Sequence, residues 1–189
     1  MDVFQAINER RSIRKFRPDP VSDEDINTIL EAARWAPSWG NTQCWKFVVV
    51  RDARTRQRLS DALTTTRAGR DNPASLATRD APVVIVACAE LGRSGFKTVG
   101  EERVPATDKG DWFMYDVALA MQNLVLAAHA LGLGTVHIGA FDAAASARVV
   151  EAPEGTVVVS LTPLGHPEEL PQAPRRKEPE EFIFRECFG

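Results

Sequence analysis

The stretch from Asp111 to Leu131 constrains this chain more than any other. Trp112, Met114, Tyr115, Leu119, Met121, Leu124, Val125 and Leu126 recur at helical spacing and leave apolar residues on nearly every side. A helix with no polar face has to be buried, either in a core or in an interface between subunits. Gly132-Leu133-Gly134 supplies the glycine punctuation that stops it. Gln122, Asn123 and His129 interrupt the run and argue against a membrane span. The rest of the fold has to pack around this rod.

The flanking segments provide the means. Asp2–Arg10 reads as a short helix with Val3, Phe4 and Ile7 on one face. Ser22 followed by Asp23, Glu24 and Asp25 predicts a capped second helix, whose stripe is Ile26, Ile29, Leu30 and Ala33 and which Pro37 ends. Residues 36–43 form a loop rich in turn formers and side-chain amides. Trp45–Val50 is a strand whose Phe47–Val50 end looks buried on both faces, and Pro82–Ala89 is a second buried strand. A helix is expected from Thr55 to about Thr66, and a mobile excursion over Leu91–Lys109, while residues 67–79 carry no clear pattern. Thr135–Ile138 and Thr156–Leu161 are two further strands, with an Asp142-capped helix to about Val150 between them. Strands and helices mix without strict alternation. The expected architecture is therefore an α+β three-layer sandwich on a mixed sheet, one domain over residues 1–189. From Pro163 the chain becomes a Pro-rich tail ending on Phe182, Ile183, Phe184 and Phe188, an apolar ending that suggests docking on another subunit.

Charge narrows the partners. The net charge is -3, so there is no global electrostatic footprint for nucleic acid. Yet Glu9-Arg10-Arg11-Ser12-Ile13-Arg14-Lys15-Phe16 concentrates four cations in eight residues, which points to a small anion. Read as extended chain, Arg10, Ser12 and Arg14 fall on one side, two guanidinium forks around a hydroxyl, a set suited to a phosphomonoester. Three widely spaced cysteines form neither a disulfide framework nor a metal knuckle. With no apolar signal core at Met1–Gln5, a cytoplasmic protein is expected.

Several chemistries are excluded by pattern. Gly132-Leu133-Gly134 continues to His137 where a dinucleotide fingerprint needs its third glycine, and it leads from helix to strand, the reverse of the required order. There is no Walker A loop and no G-x-S-x-G elbow. His129, His137 and His166 lack metal-ligand spacing. His137 stays open as a functional residue because it adjoins the Gly139 turn.

Four segments in order carry a resemblance: R-R-S-I-R-K-F; A-P-S-W-G-N-T-Q-C-W-K-F-V-V-V; D-V-A-L-A-M-Q-N-L-V-L-A-A-H-A-L-G-L-G-T-V-H-I-G-A-F; and L-G-H-P-E-E ahead of P-R-R-K-E-P-E-E-F. Together they are similar to the FMN-binding nitroreductase family, along nearly the whole chain. The resemblance implies that Arg10, Ser12 and Arg14 hold the FMN phosphate with Arg11 beside them, and that Arg175 and Arg176 close on it from the tail. It implies that the loop with Pro37, Ser38, Trp39, Asn41 and Gln43 reaches the flavin of the opposite subunit, Trp39 either shaping the pocket or packing the interface. It implies that Ile138-Gly139-Ala140 passes the ring edge, with a Gly139 or Ala140 N–H donating to the ring. Residues 91–109 with Trp112 and Phe113 would be the lid, and the residue on the pyrimidine edge would come from the 67–79 region. The implied protein is a homodimer sharing two flavins, with no catalytic side chain and no metal. It takes electrons from NAD(P)H and passes them in ping-pong fashion to nitroaromatics, quinones or related small molecules. Same-fold alternatives are reductive dehalogenation, flavin cleavage, and flavin binding without turnover.

Overall fold

The computed structural model describes residues 1–63 and 72–188. Helix α1 covers Val3–Glu9, capped by the Asp2 side chain, and α2 covers Asp23–Arg34, where the Ser22 hydroxyl accepts from the Asp25 N–H at 3.0 Å. Strand β1 is Trp45–Val50, α3 is Ala53–Asp61, α4 is Pro73–Asp80 and β2 is Val83–Glu90. A hairpin follows, β3 Phe96–Val99 and β4 Glu102–Pro105, then α5 Phe113–Ala130 and β5 Gly134–Thr135. The chain closes with α6 Ala143–Val149, capped by Asp142, and β6 Thr156–Gly165. No helix among the described residues is long and apolar enough to cross a membrane.

The sheet order is β1-β2-β6-β5 with every strand pair antiparallel, and the parallel component of the expected mixed sheet is one bridge, Ser12 to Thr135. Strand β2 is central, and its alternation sorts the core. Val83, Ile85, Ala87 and Ala89 pack with Ile26 and Ile29 of α2 and with Val117, Met121, Leu124 and Val125 of α5. Val84, Val86 and Cys88 face the other way, toward Leu59 of α3, Ala77 of α4, Ile13 and Leu161. These are the three expected layers. The helix from Phe113 is thus buried against the sheet along Val117, Ala120, Leu124 and Ala128, but Met114 and Tyr115 in its first turn are exposed.

Four expectations change. Strand β1 is an edge strand, so Phe47 and Val48 are only half-buried rather than enclosed on both faces. The 91–109 excursion is not shapeless: β3 and β4 pair through a two-residue Gly100–Glu101 turn, with Gly100 in the left-handed region at φ 64°. Strand β6 continues through Pro163 to Gly165 because it has β2 on one side and β5 on the other, so the tail begins at His166. Helix α3 starts at Ala53, capped by Asp52; of the expected Thr55–Thr66 helix, residues 64–66 lie outside the described residues.

Candidate functional site

The basic segment is pinned from both sides. On one side the Ile13 N–H donates to the Thr135 carbonyl at 2.9 Å beside the Ser12–Thr135 bridge. Gly134 makes this seat possible, since a Cβ there would lie 2.7 Å from Ile13 Cγ1. On the other side Phe16 pairs with Pro167, the Arg17 N–H donates to the His166 carbonyl at 2.9 Å, and the Glu168 N–H donates to the Lys15 carbonyl at 3.1 Å. The tail therefore leaves β6 running along the basic segment, and Pro171 and Pro174 hold it out of any helix.

That path brings Arg176 to the N-terminal cluster. Arg10, Arg11, Ser12, Arg14 and Arg176 line one cavity of about 300 Å³, together with Pro171, Gln172 and Pro174. No carboxylate among the described residues lines it. Partial burial, and then the like charges of Arg11 and Arg176, push the Arg10 guanidinium below its ordinary value. Cations gathered around one cavity are a site for an anion with several acceptor oxygens, while the carboxylates nearby, Asp80, Glu168 and Glu169, line the adjoining space. Arg11 has part of its guanidinium committed, donating to the Asn8 carbonyl at 2.6 Å and to the Arg10 carbonyl at 2.9 Å. Arg175 does not line the cavity. Ser12, Arg14 and Pro171 also border a larger cavity of about 560 Å³, so there is room beyond the anion.

From Thr135 the chain stays in register along β6, Thr135 opposite Leu164 and Ile138 opposite Leu161. At about 3.3 Å per residue, Gly139 lies about 13 Å beyond the Ser12 bridge. Gly139, Ile138 and His137 border a mostly apolar cavity of about 320 Å³ with Met114, Met121 and Ser160. The Ser160 hydroxyl is buried there without a partner among the described residues, and a Cβ on Gly139 would meet nothing within 4 Å. His137 Nδ1 lies 3.2 Å from Thr162 Oγ1; desolvation and the nearby Arg10 charge lower its pKa. The Ala140 carbonyl accepts from Asn72 Nδ2 at 3.4 Å. Asn72 belongs to the 67–79 region expected to supply the pyrimidine-edge contact, of which residues 67–71 lie outside the described residues.

The loop after Pro37 sits elsewhere. A 3₁₀ turn over Trp39–Asn41 puts Gly40, Asn41 and Gln43 in the left-handed region, at φ 54°, 55° and 47°. Two of these are not glycine and are strained, a condition common at functional loops. The conformation is held by the Ser38 hydroxyl accepting from the Gln43 N–H at 2.9 Å, and by Asn41 Oδ1 accepting from Gln43 Nε2 at 3.1 Å. The whole loop is fastened to the first turn of α5, where Asp116 Oδ1 accepts from the Trp39 N–H at 3.0 Å. The basic cavity is at the other end of α5, where His129 borders the same space as Arg10 and Arg11. Asp116 to His129 is about 20 Å of helix, at about 1.5 Å per residue. One chain thus keeps Pro37, Ser38, Trp39, Asn41 and Gln43 apart from the basic residues, at the end of α5 whose first turn also borders the Gly139 cavity through Met114.

Sequence reasoning missed Gln172, Ser160 and above all Asp116. The one local sign of Asp116 was an acidic residue inside an otherwise apolar helix pattern.

Comparison with known proteins points the same way. A putative NADH dehydrogenase/NAD(P)H nitroreductase of Methanothermobacter thermautotrophicus is 34% identical over 175 residues, 90% of this chain and 80% of that one. An FMN reductase [NAD(P)H] of Bacillus subtilis is 26% identical over 189 residues, 96% of this chain and 72% of its own. The crystal structure of a nitroreductase family protein from Clostridium novyi NT superposes with a TM-score of 0.76 at 29% identity, covering 89% of this chain and 88% of that one. The profile of the Nitroreductase family matches residues 7–166, from the end of α1 to the start of the tail. Since that match includes both the basic segment and the Gly139 turn that β6 aligns beside it, this chain belongs to the nitroreductase family.

Proposed function

We propose that this chain is an FMN-dependent oxidoreductase of the cytoplasm that accepts electrons from NADH or NADPH and delivers them to nitroaromatic, quinone or related acceptors. The observation that carries the reading is the convergence of Arg10, Ser12, Arg14 and Arg176, from opposite ends of the chain, on one cavity without a carboxylate. Forked, permanently charged donors beside a hydroxyl match a phosphate monoester, and a neutral ligand would leave their repulsion uncompensated. The apolar cavity at Gly139, about 13 Å along β6, is the matching place for a planar ring, and the Gly139 N–H can approach a ring edge with no side chain in the way.

FMN, when bound, supplies the two-electron chemistry. The residues of this chain bind and orient. Arg10, Arg14 and Arg176 would hold the phosphate, Ser12 would donate to it, and the Gly139 N–H would stabilise charge at the ring edge. The β3–β4 hairpin, with Arg93, Lys97 and Arg103 on or beside it, would cover the face where donor and acceptor bind. No side chain serves as a nucleophile.

The reading includes a homodimer. The 38–43 loop lies about 20 Å of helix away from the basic cavity of its own chain, and in this reading its amides serve the flavin of a second subunit. The unpartnered apolar face of α1, with Phe4 74% exposed, and the exposed Phe182, Ile183 and Phe184 of the tail give that subunit surface to cover. The tail beyond Arg176 wraps the partner.

The test is the visible absorption of the purified protein before and after anaerobic NADH or NADPH. A flavin spectrum that one nucleotide bleaches is the expected result and identifies the donor. A colourless protein that also fails to take up added FMN overturns the proposal.

A further inference from the structure

Asp116 has a fully buried side chain in the first turn of α5, without a Lys or Arg partner among the described residues. A carboxylate buried among neutral groups is a costly choice, and an apolar residue would suit the surrounding core of Val117, Ala120 and Met121 better. What the carboxylate provides is acceptor capacity for donors from two separate segments. From the 38–44 loop, the Trp39 N–H donates to Oδ1 at 3.0 Å, while the Thr42 hydroxyl at 3.4 Å and the Cys44 thiol at 3.8 Å donate to Oδ2. From the base of the hairpin, the buried Ser94 hydroxyl donates to the same Oδ2 at 2.7 Å. Burial, and then the nearby Asp116 and Asp111 charges, push the Cys44 thiol up to about 12, so it keeps the proton it donates.

Ser94 is not a loose attachment. Its carbonyl accepts from the Trp112 N–H at 3.1 Å, and the Asp111 carboxylate accepts from the Gly92 N–H at 2.7 Å. The Ala106 N–H donates to the Gly95 carbonyl at 2.8 Å, and Trp112 Nε1 donates to Thr107 Oγ1 at 3.1 Å. Gly95 has no room for a side chain, since a Cβ would lie 2.7 Å from the Gly110 carbonyl oxygen and 2.7 Å from Trp112 Cδ1. The hairpin base is therefore one closed, tightly packed unit. The Asp116 carboxylate bonds both this unit and the strained Trp39–Gln43 turn, and it cannot rotate to suit one segment without weakening its bonds to the other.

We infer that Asp116 is a positioning residue of the flavin site: its single carboxylate locks the 38–44 loop to the base of the β3–β4 hairpin, so that a disturbance at either is transmitted to the other. This rests on the reading that the loop serves a flavin. A hairpin that shifts over the donor site then changes the placement of Asn41 and Gln43, without touching a ligand of its own.

Ser94→Ala tests the link because it removes one hydroxyl on the hairpin side and leaves every atom of the loop intact. Two readouts are taken: hydrogen exchange of peptides covering residues 37–45 in the flavin-free protein, and the FMN dissociation constant by fluorescence titration. Faster exchange over 37–45, no change over α2, and FMN binding weakened by about tenfold, as for a change of about 1.4 kcal/mol, is the expected result. Thr42→Val, which loosens the carboxylate from the loop side, should instead quicken exchange at residues 92–96. Asp116→Asn combined with Ser94→Ala should weaken FMN binding less than the product of the single effects. Should the Asn variant fail to fold, the Ser94 and Thr42 variants decide. Unchanged exchange over 37–45 removes the link, and faster exchange with an unchanged dissociation constant makes Asp116 a purely structural residue; either overturns the inference. A wild-type protein that binds no FMN overturns instead the reading on which it rests, whatever exchange shows.

Discussion

At the scale of single residues, the cavity around Arg10 works by accumulation of like charge. Arg176 approaches from the tail, and its proximity contributes to the lowering of the Arg10 pKa. Such an arrangement is unfavourable until an anion arrives, so loss of one guanidinium harms binding far more than folding. Arg176→Ala should weaken FMN binding by about 1.5–3 kcal/mol, with little change in melting temperature because the residue is exposed. Fluorescence titration against a thermal melt separates the two. Arg175→Ala should have a much smaller effect, since Arg175 does not line the cavity. His137 gives a pH dependence with a definite sign. Desolvation and Arg10 lower its folded-state pKa, so on acidification the unfolded chain takes up a proton before the folded protein does. Folded stability is then lost as pH falls from the ordinary imidazole value of about 6.5 through the lower folded value. Melting temperatures between pH 8 and pH 5 should fall more steeply for wild type than for His137→Gln.

At the scale of elements, the contact between the basic segment and β5 decides whether the cavity exists. Gly134 allows Ile13 to lie against the sheet, and Ile13 fixes Ser12 and Arg14 on either side of it. Gly134→Ala should cost about 1–3 kcal/mol through overpacking, measurable by urea denaturation. It should also loosen FMN, because the displaced segment carries the phosphate ligands. A variant that lost stability but kept FMN affinity would show that the segment holds its shape without that seat. The caps were legible beforehand: Ser22 and Asp142 start their helices where a good N-cap residue precedes the apolar pattern. Pairing beyond neighbours was harder to read. The hairpin at Phe96–Pro105 has a weak alternating pattern, and its order owes much to the Ser94, Gly95 and Trp112 contacts at its base.

At the scale of the whole molecule, the two halves of the site lie at opposite ends of α5, which favours an assembly in which a second copy completes each one. The exposed apolar residues of α1 are the most accessible place to test that. Replacing Val3, Phe4 and Ile7 together by Ser should shift light scattering toward the monomer mass and release FMN in parallel, while far-ultraviolet circular dichroism stays near wild type. Monomers that retain FMN at wild-type affinity would place the whole flavin site within one chain.

Features that depend on near neighbours could be read directly from the residue order: the buried helix before Gly132, the two N-caps, the hydrophobic β2 run and the clustered cations around Ser12. Each is set by propensity, periodicity or a fixed spacing along the chain, and each survives in the fold. Which distant groups meet is a property of the folded chain. Arg176 rather than Arg175 joins Arg10, where the tail follows the basic segment out of β6. Asp116 takes its role from Trp39 and Ser94, which no spacing in the sequence relates to it. Such partners are chosen by how the layers close, through burial and hydrogen-bond satisfaction summed over the whole core, and a local pattern carries no record of that choice.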